Sequence, residues 1–467
     1  MASTLNGQLL LTPTKRLFVD MLTRDIELDD AILDLLDNCV DGSMRGRRGR
    51  RGMEQRYDGF HASLEFSGDE FKISDNCGGI SDSLKESAFR LGRPFGAEAG
   101  GDLPTVGVYG IGMKRAIFKL GRECTIETRT KTSGFRVTIK PEWFSTEDDW
   151  ALPVVSLPGD PKRPGTTITV KRLLAPVTHE FRSPTGFVDA FRAKVSQHYS
   201  VLIEKGFKVS VNGKTVSPVP ITFKTSDFAK ITEAEGGIAP YLFDGNIDGV
   251  DVELAIGFYS PFSEDPDEQP TQFKSDEAGW TVICNDRVVL YKDKTLLTGW
   301  GEGAPIYHPQ FRQISGVVVF RSGNPELLPI KTTKRGIEAN SLVYLRVRQK
   351  MRDGLKKFTN FTNKLKTLSA NEREKMFEST STVDLKTLRT RKAAIPDRNW
   401  IQDRKINGRT YDLPLPKVSD SDSKVIRFSK PADQIRRVST FLFDDSEISP
   451  SDVGAAAFDR VLKEVRK

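Results

Sequence analysis

A chain of 467 residues, 37% hydrophobic and 28% charged, has the composition of a soluble protein with real cores, and its length predicts about two or three domains. No apolar run approaches the ~20 residues of a membrane span, and the opening MASTLNGQLLLTPTKR lacks the pattern of a secretion signal, so a cytoplasmic protein is expected. Four scattered cysteines (Cys39, Cys77, Cys124, Cys284) and four histidines make no recognisable zinc site, and the net charge of +7 is mild enough that its distribution matters more than its sum.

The first strong pattern is ELDDAILDLLDNCVDG at 27–42. At helical spacing Leu28, Ile32, Leu35, Leu36 and Cys39 share one side, while Glu27, Asp30, Asp34, Asn38 and Asp41 form a stripe on the other. That stripe has no lysine at i,i+4 to support it. It reads either as an exposed acidic face or as a carboxylate-and-amide row aimed at a metal ion. Next comes RGRRGRRG at 45–52, five arginines in eight residues, which reads as a solvated loop or as a contact for nucleic-acid phosphates.

LEFSGDEFKISD then alternates apolar and polar residues around a turn, as a hairpin does. Residues 81–112 are glycine-rich and irregular. A helix is expected at MKRAIFKLG, followed by strands at CTIETRT, GFRVTIK and TTITV, giving an α+β layer with helices on one face of a mixed sheet over residues 1–175. A second unit is expected over 176–340. It holds the Asn-Gly hairpin of FKVSVNGKTVSP, the alternating VDVELAIGF at 250–258, an acidic exposed loop at 260–279, and strands at TVICNDRVVLY and GVVVF.

From 341 to 467 the expectation is a basic helix, a linker and a helical C-terminal region. The stretch 341–366 carries eight Lys or Arg against Asp353 alone, with Met351, Leu355, Phe358 and Leu365 as its apolar seam. LPLPKVSDSDS at 413–423 reads as a linker, and a final helix places Phe458, Val461, Leu462 and Val465 on one side.

The glycines raise a nucleotide site, but the usual forms are missing. GKT at 213–215 lacks the first glycine of a P-loop, and no G-x-G-x-x-G opens a helix after a first strand. What does appear, in order, is DLLDNCVDG at 34–42, ISDNCGGIS at 73–81, GVYGIGMK at 107–114 and PGTTITV at 164–170. This set resembles the GHKL (Bergerat-fold) ATPases, the superfamily of DNA gyrase, heat-shock chaperones, MutL, MORC proteins and histidine kinases. The general layout is most similar to MORC and MutL-like proteins and their bacterial relatives.

The resemblance implies ATP and Mg²⁺ as ligands and a homodimer that forms on ATP binding. Asn38 matches the family's magnesium-binding asparagine, which suits a hard cation that keeps waters and phosphate oxygens around it. Asp34 matches the residue that orients the attacking water, with aspartate standing where most members carry glutamate. Asp75 matches the acceptor of the adenine amino group, and Gly79 the glycine beside the base. Cys77 stands where the family's first glycine of that box belongs. Thr166 matches the threonine that supports the aspartate. Gly107, Gly110 and Gly112, with Lys114, would cradle phosphates at a helix start.

In LPIKTTKRGIEANS at 328–341 one of Lys331, Lys334 and Arg335, with Lys334 favoured, would sense the γ-phosphate from the transducer-like domain. The segment around Leu9–Lys15 would cross to the partner in the dimer. Two outputs remain open at this point. One is a clamp or switch acting on DNA through 45–52 and 341–366, in chromosome handling or in defence against foreign DNA. The other is a chaperone-like ATPase with protein clients, or a regulatory module with little hydrolysis, meeting a partner protein through the C-terminal region.

Overall fold

The structure, a computed structural model, describes residues 4–5, 8–9, 14–45, 56–90, 111–147, 149–182, 186–232, 234–260, 277–331, 335–418, 426 and 428–465. After two short paired strands, β1 (Thr4–Leu5) and β2 (Gln8–Leu9), come α1 (Lys15–Arg24) and the acidic helix α2 (Leu28–Arg45). The expected hairpin follows as β3 (His61–Phe66) and β4 (Glu70–Asp75), then α3 (Asp82–Phe89), α4 (Gly112–Leu120), β5 (Gly121–Arg129), β6 (Ser133–Ile139), α5 (Pro141–Ser145), β7 (Val154–Pro158) and β8 (Gly165–Leu173). Three helices, α6 (Ala175–Arg182), α7 (Phe187–His198) and α8 (Ser200–Glu204), lead to β9 (Lys208–Val211) and β10 (Lys214–Thr215).

These strands form one eight-stranded mixed sheet in the order β10-β9-β3-β4-β8-β5-β6-β7. Its core sets Ile32, Leu35 and Leu36 of α2 and Ala116 and Ile117 of α4 against Leu64, Phe71, Ile126 and Val170 of the sheet. This is the α+β arrangement of a Bergerat-fold ATPase domain. The expected boundary at 175 falls inside the layer. Strand β9 pairs in parallel with β3, and Val177, Phe181, Phe191, Val195 and Tyr199 of α6 and α7 belong to the same core. The Asn-Gly turn was legible in the sequence, with both Asn212 and Gly213 at positive φ, but its long-range partner was not.

The second layer comprises β11 (Thr222–Thr225), β12 (Tyr241–Ile247), β13 (Val250–Phe258), β14 (Gly279–Cys284), β15 (Arg287–Asp293), β16 (Ile314–Arg321), α9 (Leu342–Leu365), α10 (Ala370–Glu378), β17 (Ser381–Asp384), α11 (Leu385–Ala393), β18 (Ile401–Asp403) and β19 (Gly408–Tyr411). Seven of its strands run β15-β14-β16-β13-β12-β19-β18, and β11 pairs with β17. This sheet therefore draws strands from beyond the boundary expected at 340. The seam of α9 is as the spacing requires, since Met351, Leu355, Phe358 and Leu365 are all fully buried.

A separate unit, Val418–Lys467 with Lys366–Ser369, contains α12 (Ala432–Phe443) and α13 (Pro450–Val465). The two helices pack as a hairpin in which Asp444 takes the left-handed conformation at the end of α12 and Arg460 lies over the Phe441 ring. Phe458, Val461, Leu462 and Val465 do share a side, and that side is exposed. No described helix is long and apolar enough to cross a membrane.

Candidate functional site

The acidic stripe of α2 is neither solvated nor uniformly aimed at one ligand. Asp34 and Asp37 are buried while Asn38, next to Asp37 and one turn after Asp34, is exposed. Asp30 takes Arg335 Nε at 2.7 Å and Lys194 Nζ at 2.9 Å. Burial opposes its charge, but those two cations hold its carboxyl below the ordinary carboxylate value. Asp34 accepts from Arg115 Nη2 at 2.5 Å. Asp37 accepts from the Tyr199 hydroxyl at 2.5 Å and pairs with the fully buried Arg287, whose guanidinium also stacks on the Tyr199 ring at 3.9 Å. Asp37 is thus part of a buried tie between layers. A carboxylate stripe without lysines on its own helix draws cations from other elements, and Asn38 is left exposed, as is Glu27 just before the helix.

Helix α4 starts directly on this stripe. A Cβ on Gly112 would stand 3.2 Å from the Asp34 carboxylate, so a side chain there would crowd the helix start away from it. Lys114 does not project into open space. Its ammonium donates to the Ala88 carbonyl at 2.8 Å, in the last turn of α3, and burial pulls its pKa from 10.5 down to about 8. Gly107 and Gly110 lie outside the described residues.

At the end of β4, Asp75 is shaped by backbone. One carboxylate oxygen, Oδ1, accepts from the Cys77 amide at 2.7 Å and from the Thr166 amide at 3.4 Å. Burial raises its pKa, against the pull of those amides and of the Cys39 thiol. Strand β8 comes this close because Gly165 has no side chain, since a Cβ there would fall 1.9 Å from the Asp75 carbonyl oxygen. Thr166 supports Asp75 through its backbone amide, and its hydroxyl instead meets Thr128 Oγ1 at 3.0 Å. Gly79 has φ +72°, and a Cβ on it would strike the Arg129 carbonyl at 2.3 Å. Both the conformation and the close approach require glycine there.

Two participants, Thr128 and Arg115, carry no signal in the sequence motifs, and a third, Arg335, is only an alternative there. Thr128, fully buried on β5, accepts the Ile80 amide at 2.8 Å and ties the Asp75 turn to β8. Arg115 grips Asp34. Arg335, expected only as an alternative to Lys334, reaches Asp30 one turn before Asp34, and the negative charge of Asp37, Tyr199 and Asp30 raises its pKa despite burial. Lys334 lies outside the described residues, and Lys331 is exposed.

At the N-terminal end Lys15 is fully buried. Its ammonium donates to the Trp143 carbonyl at 2.7 Å and the Asp149 carbonyl at 2.5 Å, and it sits 4.0 Å from the Trp143 ring centroid. Lys15 is therefore anchored in its own domain, so any segment that crosses to a partner must precede it.

The basic helix holds much of its charge in ion pairs. Arg346 pairs with Asp248, Arg348 and Arg352 with Glu302, Lys350 with Asp403, and Lys357 with Asp412. Most of the cations counted along 341–366 thus have carboxylate partners elsewhere in the fold. Of the arginine-rich stretch at 45–52, only Arg45 is described.

A buried carboxylate fixed by amides at Asp75, with an exposed asparagine on a helix that carries the buried Asp34, is the arrangement expected of a Bergerat-type nucleotide site. Residues 26–162 match the family model described as Histidine kinase-, DNA gyrase B-, and HSP90-like ATPase, which supports a GHKL-type ATPase domain over that segment. The matched span contains Asp34, Asn38, Asp75, Gly79 and Lys114, and stops short of Thr166 and Arg335. No curated protein matches the chain.

Proposed function

We propose that this protein is an ATP-dependent dimerising switch that binds and hydrolyses ATP with Mg²⁺ and acts on DNA. The observation that carries the nucleotide reading is Asp75. Its Oδ1 is held by two amides, so the carboxylate has one orientation and presents a fixed acceptor to an exocyclic amine. Among the described residues no cluster of three or more His, Cys, Asp or Glu could hold a metal. That suits Mg²⁺ held by the Asn38 amide oxygen together with phosphate oxygens and water. When bound, the ion would neutralise charge on the phosphates.

Asp34 would orient the attacking water, with Arg115 fixing the carboxylate that does so. Gly107, Gly110 and Gly112 would bring backbone amides to the phosphates, and Lys114 would join them by leaving the Ala88 carbonyl. Lys334 would sense the γ-phosphate, and this is supported by its neighbour Arg335, which already rests on the same helix. Asp75→Asn tests the site. It puts an amide donor opposite the adenine amine and should weaken ATP binding by roughly 1–3 kcal/mol or more in calorimetry. Unchanged affinity would remove the nucleotide claim.

A second output is favoured by a separate observation. The exposed apolar side chains of α12 and α13, with Phe441 and Phe458 prominent, suit a protein partner in the C-terminal region better than a phosphate backbone.

A further inference from the structure

A cleft of about 790 Å³ opens where the edge of the second sheet meets Arg56 and Lys205 of the first layer. It is lined by six cationic side chains, Arg56, Lys205, Arg321, Arg389, Lys392 and Arg409, against three carboxylates, Asp244, Asp251 and Glu253. None of these residues belongs to the nucleotide site. Arg56 is also the first described residue after the arginine-rich stretch.

The carboxylates act as a scaffold for the cations. Glu253 accepts from Arg389 Nε at 2.9 Å and from Lys392 Nζ at 2.9 Å, with Arg321 Nη1 at 3.5 Å. Burial works against its charge, but Lys392 and Arg389 bring its pKa down to about 2. Arg389 gives Glu253 only its Nε, which keeps both terminal nitrogens of the fork for a ligand. Arg409 stacks on Trp400 at 4.4 Å and pairs with Asp397 at 2.9 Å. The side chains of Arg321, Arg389 and Arg409 stay 35%, 30% and 38% exposed, so the guanidinium groups are fixed in place yet open to solvent. Fixed, partly open arginine forks with an excess of positive charge are suited to phosphate oxygens.

We infer that this cleft binds the phosphate backbone of duplex DNA, and that it, in place of the helix at 341–366, is the DNA-contacting surface. The inference rests on the DNA reading proposed above. Duplex is favoured over single strand because, among the described residues, the cleft lining contains no aromatic side chain on which unstacked bases could pile, Trp400 being buried beneath Arg409.

The test is fluorescence anisotropy of a short labelled duplex across a salt series, with a single strand of the same length and inorganic tripolyphosphate as the other arms. The full chain should bind duplex more tightly than single strand. The Arg389→Gln/Arg409→Gln double variant should bind duplex more than about tenfold more weakly, with a log–log salt slope shallower by about 0.9 for each phosphate it no longer neutralises. Gln402→Glu adds a negative charge to the lining without removing any ion pair, so it should weaken duplex binding in a chain whose folding is not in question. Wild-type affinity and slope in both variants, in a protein that binds duplex, would overturn the cleft while leaving the DNA reading standing. Tripolyphosphate bound in the cleft without any duplex binding would overturn both, and single strand bound more tightly than duplex would overturn the choice of duplex alone.

Discussion

At the scale of single residues, the site is a set of polar groups whose orientation is set by distant partners. Arg115 is a positioning residue for Asp34, so Arg115→Ala should lower turnover by up to about 100-fold with little change in ATP affinity, and Arg115→Lys should restore part of it. A loss of thermal stability with unchanged turnover would reduce the pair to a structural one. Lys114 gives a pH signature. The folded state holds its proton less tightly than the unfolded chain, with a pKa of about 8 against 10.5. This burial penalty is fully present below pH 8 and is relieved as pH rises from about 8 towards 10.5. Wild type should therefore gain denaturant resistance relative to Lys114→Met between about pH 7 and pH 10; parallel midpoints for the two across that range would refute the burial assignment. Asp75 and Asn38 could be named as candidates from the sequence because short motifs carry their chemistry locally. Arg115 could not, because it meets Asp34 across 81 positions and nothing in either local pattern names the other. Lys114 shows the converse, a motif residue whose amine the fold has turned to a carbonyl.

At the scale of elements, the hairpin joining β14 and β15 does what its sequence did not announce. NDR at 285–287 looks like an ordinary surface turn, and both Asn285 and Asp286 do take positive φ. Yet the tip is buried between layers. Asp286 accepts from Lys205 at 2.6 Å and from the Tyr57 hydroxyl at 3.2 Å, while Arg287 pairs with Asp37 on α2 at 2.9 Å. The turn therefore places the second sheet's charge one residue from Asn38. Arg287→Ala would remove the cation paired directly with buried Asp37, leaving Arg335 as the other one facing it, which should cost up to about 3–5 kcal/mol in chemical denaturation. A cost within about 0.5 kcal/mol, the range of an ordinary surface substitution, would show that the tie is not structural. Element identity was readable from period and turn residues, as β3, β4, β13 and α9 illustrate. Sheet membership was not, because β9 joins β3 and β19 joins β12 across intervals that no local pattern spans.

At the scale of the molecule, the proposed nucleotide site, the second layer and the proposed DNA cleft are joined by a run of ion pairs. Arg335 rests on Asp30 and Arg287 on Asp37, so two ion pairs join the second layer to the helix that carries Asn38. Occupation of the nucleotide site would bias both, and a helix held at two points shifts as a unit. Lys205 and Arg56 both line the cleft and pair with Asp286, the neighbour of Arg287. The hairpin tip at Asp286 and Arg287 therefore lies between the proposed DNA cleft and the helix proposed to hold ATP. The central claim is that ATP converts one copy into two joined copies, and the measurement is mass by light scattering of Asp34→Ala with ATP and Mg²⁺, a variant that should bind but scarcely hydrolyse. A mass that doubles with ATP, and not in the Asp75→Asn variant under the same conditions, is the result expected; a monomer mass in protein shown by calorimetry to be saturated with ATP would contradict the account.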